Sequence, residues 1–270
     1  MISFVLGAAL RPVDTPDRTA AHGGTAHGAA AAERPSPPGT PVLRTLHLGG
    51  KQVGVLVVPG RPGRNLVGIG AADAKAAAAE GALRKGWRQP GSAQTWVPVD
   101  LPEGSSTLRV SAGGANGSLT VDTGSGRTAA PRALTTADAP ECAAAAAGAL
   151  VAGENRPLTA CPSDTLTAED ADALRAMVRF LADRDIPALG LVSDASPRGR
   201  KAAAAVRAQA RHEGITVTGP GTDRPVLVTT GWAGATEVAD AVEGGTTRAQ
   251  GVYLAPGCWP VRCSPRAPAS

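Results

Sequence analysis

Aromatic side chains are scarce: four Trp, two Phe and one Tyr in 270 residues, scattered along the chain. A nucleic-acid reader needs a concentrated basic face and aromatics on which bases stack. Here 27 Lys+Arg stand against 23 Asp+Glu, a net charge of only +4. That excess reads as composition bias, and nucleic acid is not expected as a partner. Long apolar runs are also missing. Crossing a bilayer takes roughly 20 consecutive apolar residues, and no stretch reaches that length. The glycine-rich phosphate loops and the G-x-S-x-G nucleophile elbow do not occur. His is limited to four residues and Cys to four. Nothing in the sequence calls for a cofactor or a metal, and the balance leans away from an enzyme.

Small residues and turn formers are abundant, with 34 Gly and 23 Pro. The chain opens on the apolar "MISFVLGAAL" and then Arg11, without a basic stretch before the apolar one. It reads as a weak export signal or the end of a membrane helix, and so points to a secreted or membrane-attached, extracytoplasmic protein. Residues 1–41 continue as a tether, "HGGTAHGAAAAERPSPPGTP", that cannot bury a core. His22 and His27 lie in it with no third ligand nearby, so they read as solvated linker residues.

From Val42 the texture changes. "LRTLHLGG", "QVGVLVVPG", "NLVGIGAAD", "TWVPVDLP", "STLRVSAGG" and "SLTVDTG" are short β-type runs separated by Gly, Pro and Asn. Residues 42–124 are expected to form an antiparallel, Ig-like β-sandwich, with hairpin turns at "GG" 49–50 and "GGANG" 113–117. Residues 74–94 fit either a short helix or a long loop. Residues 125–137 read as a linker.

The period then changes to helical. "TAEDADALRAMVRFLADR" puts Leu174, Met177, Val178 and Leu181 on one face, with Thr167 and Asp170 at capping-box spacing. Strands at 188–193, 215–218, 226–230 and 252–254 alternate with helices at 197–213 and 234–243. Residues 138–256 are therefore expected to be an α/β domain with a mainly parallel sheet. The tail 257–270, with Cys258 and Cys263, is expected to be disordered.

The candidate site follows from that sheet. In open parallel sheets, ligands bind beyond the carboxyl ends of the strands. Ser193, Asp194 and Ser196 follow one strand and precede a helix. Thr229, Thr230, Gly231 and Trp232 end another, and Tyr253 ends the last. If these strands are neighbours, the groups rim one crevice. The plainer reading is that Ser196 caps a helix with Pro197 at its first position and that Trp232 packs a loop. Arg198 and Arg200 suit either an anion or a solvated face continued by Lys201, Arg207 and Arg211. His212 lies on a helix surface.

Cys142 opens the Ala-rich helix and Cys161 lies in "LTACPSD". A helix running out and a loop running back bring them together. An oxidising compartment would close them as a disulfide; a reducing one would leave two buried thiols.

Two stretches resemble known families. "VGVLVVPGRPGRNLVGI", with Pro59, Gly60, Pro62, Gly63 and Asn65 between two β-runs, resembles the YtkA-like β-domain that follows the membrane part of CopD-type copper-transport proteins. The resemblance implies an extracytoplasmic domain on a membrane transport protein. It carries no metal residues: 42–124 holds no Met, no Cys and one His, His47, flanked by Leu46 and Leu48, while copper(I) prefers thioether, thiolate or imidazole. The stretches "FLADRDIPALGLVSDASPRGRKAAAAVRAQARHEGITV", "VLVTTGWAGATEVADAV" and "GVYLAP" resemble one lobe of the type I periplasmic solute-binding proteins, which implies half of that fold. Together these imply a non-catalytic binding or sensory module with a small-molecule ligand and a membrane transport partner. The alternative is a degenerate solute-binding fold serving as a structural or interaction domain.

Overall fold

A computed structural model describes residues 37–255 apart from 90, 91, 127, 128 and 222. The apolar start and the tail 257–270, with its Cys pair, lie outside the described residues, as does the tether up to residue 36.

Strand β1 (Val42–Leu48) alternates inward and outward side chains, with Val42 and Leu48 buried and His47 exposed beside Gln52. Gly49 and Gly50 both have positive φ, 56° and 78°, and turn the chain into β2 (Lys51–Val58). A two-residue hairpin loop needs that geometry, which glycine adopts without steric cost. Gly113 and Gly114 repeat the device at φ 57° and 82° between β7 (Ser105–Ala112) and β8 (Ala115–Asp122). Both hairpins fall where the sequence places them.

With β3 (Gly63–Ile69) and β6 (Thr95–Leu101), the first two strands form a sheet in the order β1-β2-β3-β6. The second sheet has the order β5-β4-β7-β8. All pairings in both are antiparallel. The sheets share a core, with Val55, Val57, Val67 and Ile69 from one and Ala76, Leu108, Val110 and Val121 from the other. The undecided stretch 74–94 is neither helix nor simple loop. It supplies β4 (Lys75–Ala78) and the two-residue β5 (Arg84–Lys85). "KAAAAE" favours a helix locally, but pairing with β7 buries Ala76 and Ala77 and overrides propensity.

The first sheet is covered on both faces. From Val55 to Val58 every residue of β2 is buried, so alternation disappears. The outer face, Leu56, Val58, Leu66 and Trp96, packs against Ala139, Ala143 and Ala146 of helix α1 (Ala139–Val151). Small side chains at i, i+4 and i+7 let the helix lie close to the sheet.

The loop "PGRPGRN" joins the same two regions. Asn65 is buried; its Oδ1 accepts from the Gly60 and Arg61 N–H groups at 2.8 and 3.2 Å, and its Nδ2 donates to the Arg61 and Gly63 carbonyls at 2.7 and 2.9 Å. The loop so held aims Arg61, itself only 5% exposed, away from the sandwich. Its guanidinium donates to the Ala129 carbonyl at 2.6 Å and the Leu158 carbonyl at 2.5 Å. The stretch read as a linker, 125–137, contains a 3₁₀ turn, Arg132–Thr135.

The third sheet is wholly parallel, in the order β10-β9-β11-β12. Its strands are β9 (Ala188–Val192), β10 (Thr216–Thr218), β11 (Arg224–Val228) and β12 (Ala249–Leu254). Helices α2 (Ala168–Ala182) and α3 (Pro197–His212) pack on it through Leu174, Val178, Leu181, Ala203 and Val206. Helix α4 (Trp232–Glu243) lies against a separate cluster, Val226, Val228 and Ala235. The chain leaves β9 through α3 to β10, then starts again at β11 on the other side of β9. That reversal is the topological switch point, and it opens a crevice between the ends of β9 and β11. The boundaries move slightly from expectation. Val228, not Thr230, ends β11, and α4 begins at Trp232. Among the described residues no helix is long and apolar enough to cross a membrane.

Candidate functional site

The crevice has a volume of about 690 Å³. Asp194, just past β9, spans its floor. Its Oδ1 accepts from the Ser196 N–H at 2.9 Å and from the Ser196 hydroxyl at 2.5 Å; its Oδ2 accepts from the Gly231 N–H at 2.7 Å. One carboxylate thus ties the end of β9 to the end of β11. The approach requires glycine nearby. A Cβ on Gly199 would stand 2.1 Å from Asp194 Oδ1.

Ser196 caps α3, its hydroxyl accepting from the Gly199 N–H at 2.9 Å, with Pro197 in the first turn. Helix α4 has no such cap of its own. Its first N–H groups go to another element. Ala233 N–H donates to Asp138 Oδ1 at 2.8 Å, and Trp232 N–H donates to Glu141 Oε1. Asp138 is the N-cap residue of α1, and Glu141 lies in the first turn of α1. Spaced three apart before an Ala-rich helix, they have the sequence pattern of a self-capping start. Yet Asp138 makes no side-chain cap to α1. Both carboxylates serve α4. A Cβ on Gly231 would meet the Asp138 carboxylate at 2.5 Å, so glycine is needed here too.

The next residue, Cys142, is bonded to Cys161, with a Cα–Cα distance of 5.4 Å. Of the two states open to this pair, the disulfide is the one present. It holds the loop after Cys161 against the first turn of α1, and that loop carries Ser163 and Asp164 into the crevice wall. Ser163 Oγ is 2.9 Å from Cys161 Sγ.

Burial pushes the Glu141 carboxyl up to about 7; the Trp232 N–H opposes this, Asp138 and Asp194 add to it, and Arg198 opposes it. Arg198 pairs with Asp170 of α2 at 2.9 Å, both partly buried. Arg132 and Arg200 add positive charge to the walls. The crevice therefore offers guanidinium and hydroxyl groups around carboxylates already occupied by backbone donors. Among the described residues no group of three or more His, Cys, Asp or Glu is placed to hold a metal.

Of the expected residues, Asp194, Ser196, Thr229, Thr230 and Gly231 come together on the crevice wall. Ser193 is exposed and lies off the wall. Trp232 offers its backbone N–H to Glu141, while its indole is not part of the wall. Tyr253 packs edge-on against Phe180, with ring centroids 6.4 Å apart, beside the α2–α3 core. Arg132, Asp138, Glu141 and Asp164 also line the crevice, beyond the residues to which the sequence points. Asp138 and Glu141 carried a signal, the D-x-x-E spacing, but it indicates a helix start, not which helix is capped.

No protein-family model matches the chain, and no curated protein matches it.

Proposed function

We propose that this chain is a non-catalytic binding module that works outside the cytoplasm beside a membrane transport protein and takes a small polar solute in the crevice between β9 and β11. The observation that carries the reading is the crevice itself: a cavity at the switch point of a parallel sheet, where such sheets bind ligands, with Arg132, Asp194, Ser196 and Thr230 among its lining residues. Its carboxylates are held as hydrogen-bond acceptors, and its hydroxyls cap or bridge backbone. The groups are arranged for recognition by contact. The Cys142–Cys161 bond supports an oxidising compartment. The likeness of Val53–Ile69 to YtkA-like domains of CopD-type proteins supports the transport partner, and the likeness of the second half to a type I solute-binding lobe supports the ligand. Copper has no thioether, thiolate or imidazole set in the β-sandwich to receive it.

The test is calorimetric titration of purified oxidised chain with a panel of amino acids, inorganic phosphate and small carboxylates. A saturable heat that Arg132→Glu, an exposed wall substitution, weakens at least tenfold supports the reading. Binding unchanged by Arg132→Glu places the site elsewhere, and a silent panel removes the solute. A second reading has its own observation: the α4 amino terminus, the natural seat for an anion, is already filled by Asp138 and Glu141. On that reading the fold is a degenerate scaffold used for protein contact, and the panel stays silent with the chain fully folded.

A further inference from the structure

Helix α4 forms one side of the switch point but has little of its own to hold it. Ala235 is its single buried residue. Its first turn depends on Asp138 and Glu141, which belong to α1. Helix α1, in contrast, is fixed twice: its alanine face is in the core on the first sheet, and Cys142 bonds Cys161. If this contact opens, α4 is the element that moves.

The groups around Glu141 come from every neighbouring element. Asp138 lies beside it on α1, and Asp194 approaches from the end of β9. Arg198 of α3 faces it but is shared with Asp170 of α2. Arg132 and Asp164 stand further along the crevice wall, and α4 contributes no charged side chain in its first turn. An ionised Glu141 would thus be a third carboxylate at one helix end, favoured by the Trp232 N–H and by the Arg198 guanidinium that also binds Asp170, but disfavoured more strongly by burial and by the charges of Asp138 and Asp194. Protonated, it keeps a carbonyl lone pair for the Trp232 N–H and sheds the repulsion. A second observation marks the closed contact as poised. The indole Nε1 of Trp232 is buried and has no hydrogen-bond partner among the described residues. Leaving a buried donor unsatisfied is costly, and opening would give it water.

We propose that the Glu141–Trp232 contact is a proton-operated latch, closed when Glu141 carries a proton and released when it ionises, through which pH governs how firmly α4 closes the crevice. As regulation of that crevice, the proposal rests on the binding reading above. The latch itself can be tested with no solute present. Closing takes up a proton, because Glu141 titrates near 7 when closed and near its ordinary 4.5 when solvated. Linkage then requires the opening equilibrium to rise about tenfold between pH 6 and pH 8.

The experiment is amide hydrogen exchange of the full oxidised chain at pH 6 and pH 8, corrected for intrinsic exchange rates. The expected result is about a tenfold loss of protection at Trp232 and Ala233, with the β7–β8 amides unchanged. In Glu141→Gln the change between the two pH values should vanish. Equal protection at both pH values in the native chain, or the same loss in Glu141→Gln, overturns the proposal. Should Glu141→Gln not fold, the Trp232 amide proton shift of the native chain decides it. A midpoint near 7 supports the latch, and a midpoint in the ordinary carboxylate range overturns it. Titrating the solute panel in parallel separates the two ideas: a silent panel with the exchange change present sinks the binding role and leaves the latch.

Discussion

At the scale of single residues, two carboxylates do what their neighbours in sequence would not suggest. Glu141 titrates near 7 in the fold against 4.5 in the free side chain, chiefly because it is buried. The folded state therefore binds its proton more tightly than the unfolded chain does. Its contribution to stability is complete below about pH 4.5 and is lost as the pH rises through about 7. Urea midpoints between pH 5 and pH 8.5 should fall by the equivalent of about 2 kcal/mol or somewhat more, and Glu141→Gln should flatten that part of the profile. Asp194 imposes the other requirement, space. Gly199→Ala would drive a methyl group to within 2.1 Å of its carboxylate. The expected cost is about 2 to 4 kcal/mol by overpacking and loss of the bridge, read as a lower urea midpoint with unchanged slope. The same substitution at Gly148, inside α1 with nothing within 4 Å, is the contrasting control and should raise stability by about 0.5 to 1 kcal/mol.

At the scale of elements, each helix begins by a different device. Thr167 caps α2 with its own hydroxyl, accepting from the Asp170 N–H at 3.1 Å, as the capping-box spacing indicates. Thr167→Ala should cost about 1 kcal/mol, visible in thermal unfolding, and leave the crevice unaffected. Ser196 caps α3 while also donating to Asp194. Ser196→Ala should cost about 1 to 2 kcal/mol and, unlike Thr167→Ala, should loosen the β9–β11 junction, seen as faster exchange of the Gly231 amide. Helix α4 borrows its cap. This sorts what the sequence made legible. Local devices are visible in a window of a few residues: both Gly-Gly hairpins, the Thr167 and Ser196 caps and the amphipathic face of α2. The strand β4 and the cap of α4 were not, since each depends on a partner distant in sequence.

At the scale of the molecule, the sandwich is fastened to α1 and the 129–158 segment by the α1 core, the Arg61 guanidinium and the Leu158 N–H donating to the Gly39 carbonyl at 2.8 Å, and α1 in turn holds α4 through Asp138 and Glu141. The disulfide adds a covalent constraint, closing a loop between residues 19 apart. Replacing both cysteines with Ala should cost about 3 kcal/mol in the chain-entropy account, measured as a reduced unfolding free energy. The same change in native chain treated with reductant would show the effect is the bond. Arg61→Leu should leave the buried Leu158 carbonyl and the part-buried Ala129 carbonyl without their donor. The expected result is faster proteolytic cutting in 125–131 than in native chain, with the sandwich core amides still protected.

The sequence alone determined the alternation of strands and helices, the two hairpins, the capped starts of α2 and α3, and the meeting of Cys142 with Cys161. Each is written in local periodicity, turn chemistry or the reach of a short loop. It also placed Asp194, Ser196, Thr230 and Gly231 at strand ends, where an open parallel sheet forms its crevice. Tertiary structure decided the rest. Whether Trp232 and Tyr253 face the crevice depends on helix rotation and on what covers each face of the sheet. Tyr253 went to Phe180 and the core. Asp138 and Glu141 entered the site only because α1 lies on the sandwich at the place where α4 begins. A carboxylate at the start of an alanine-rich helix can satisfy any helix end within reach, and which end that is depends on packing, not on the residues beside it.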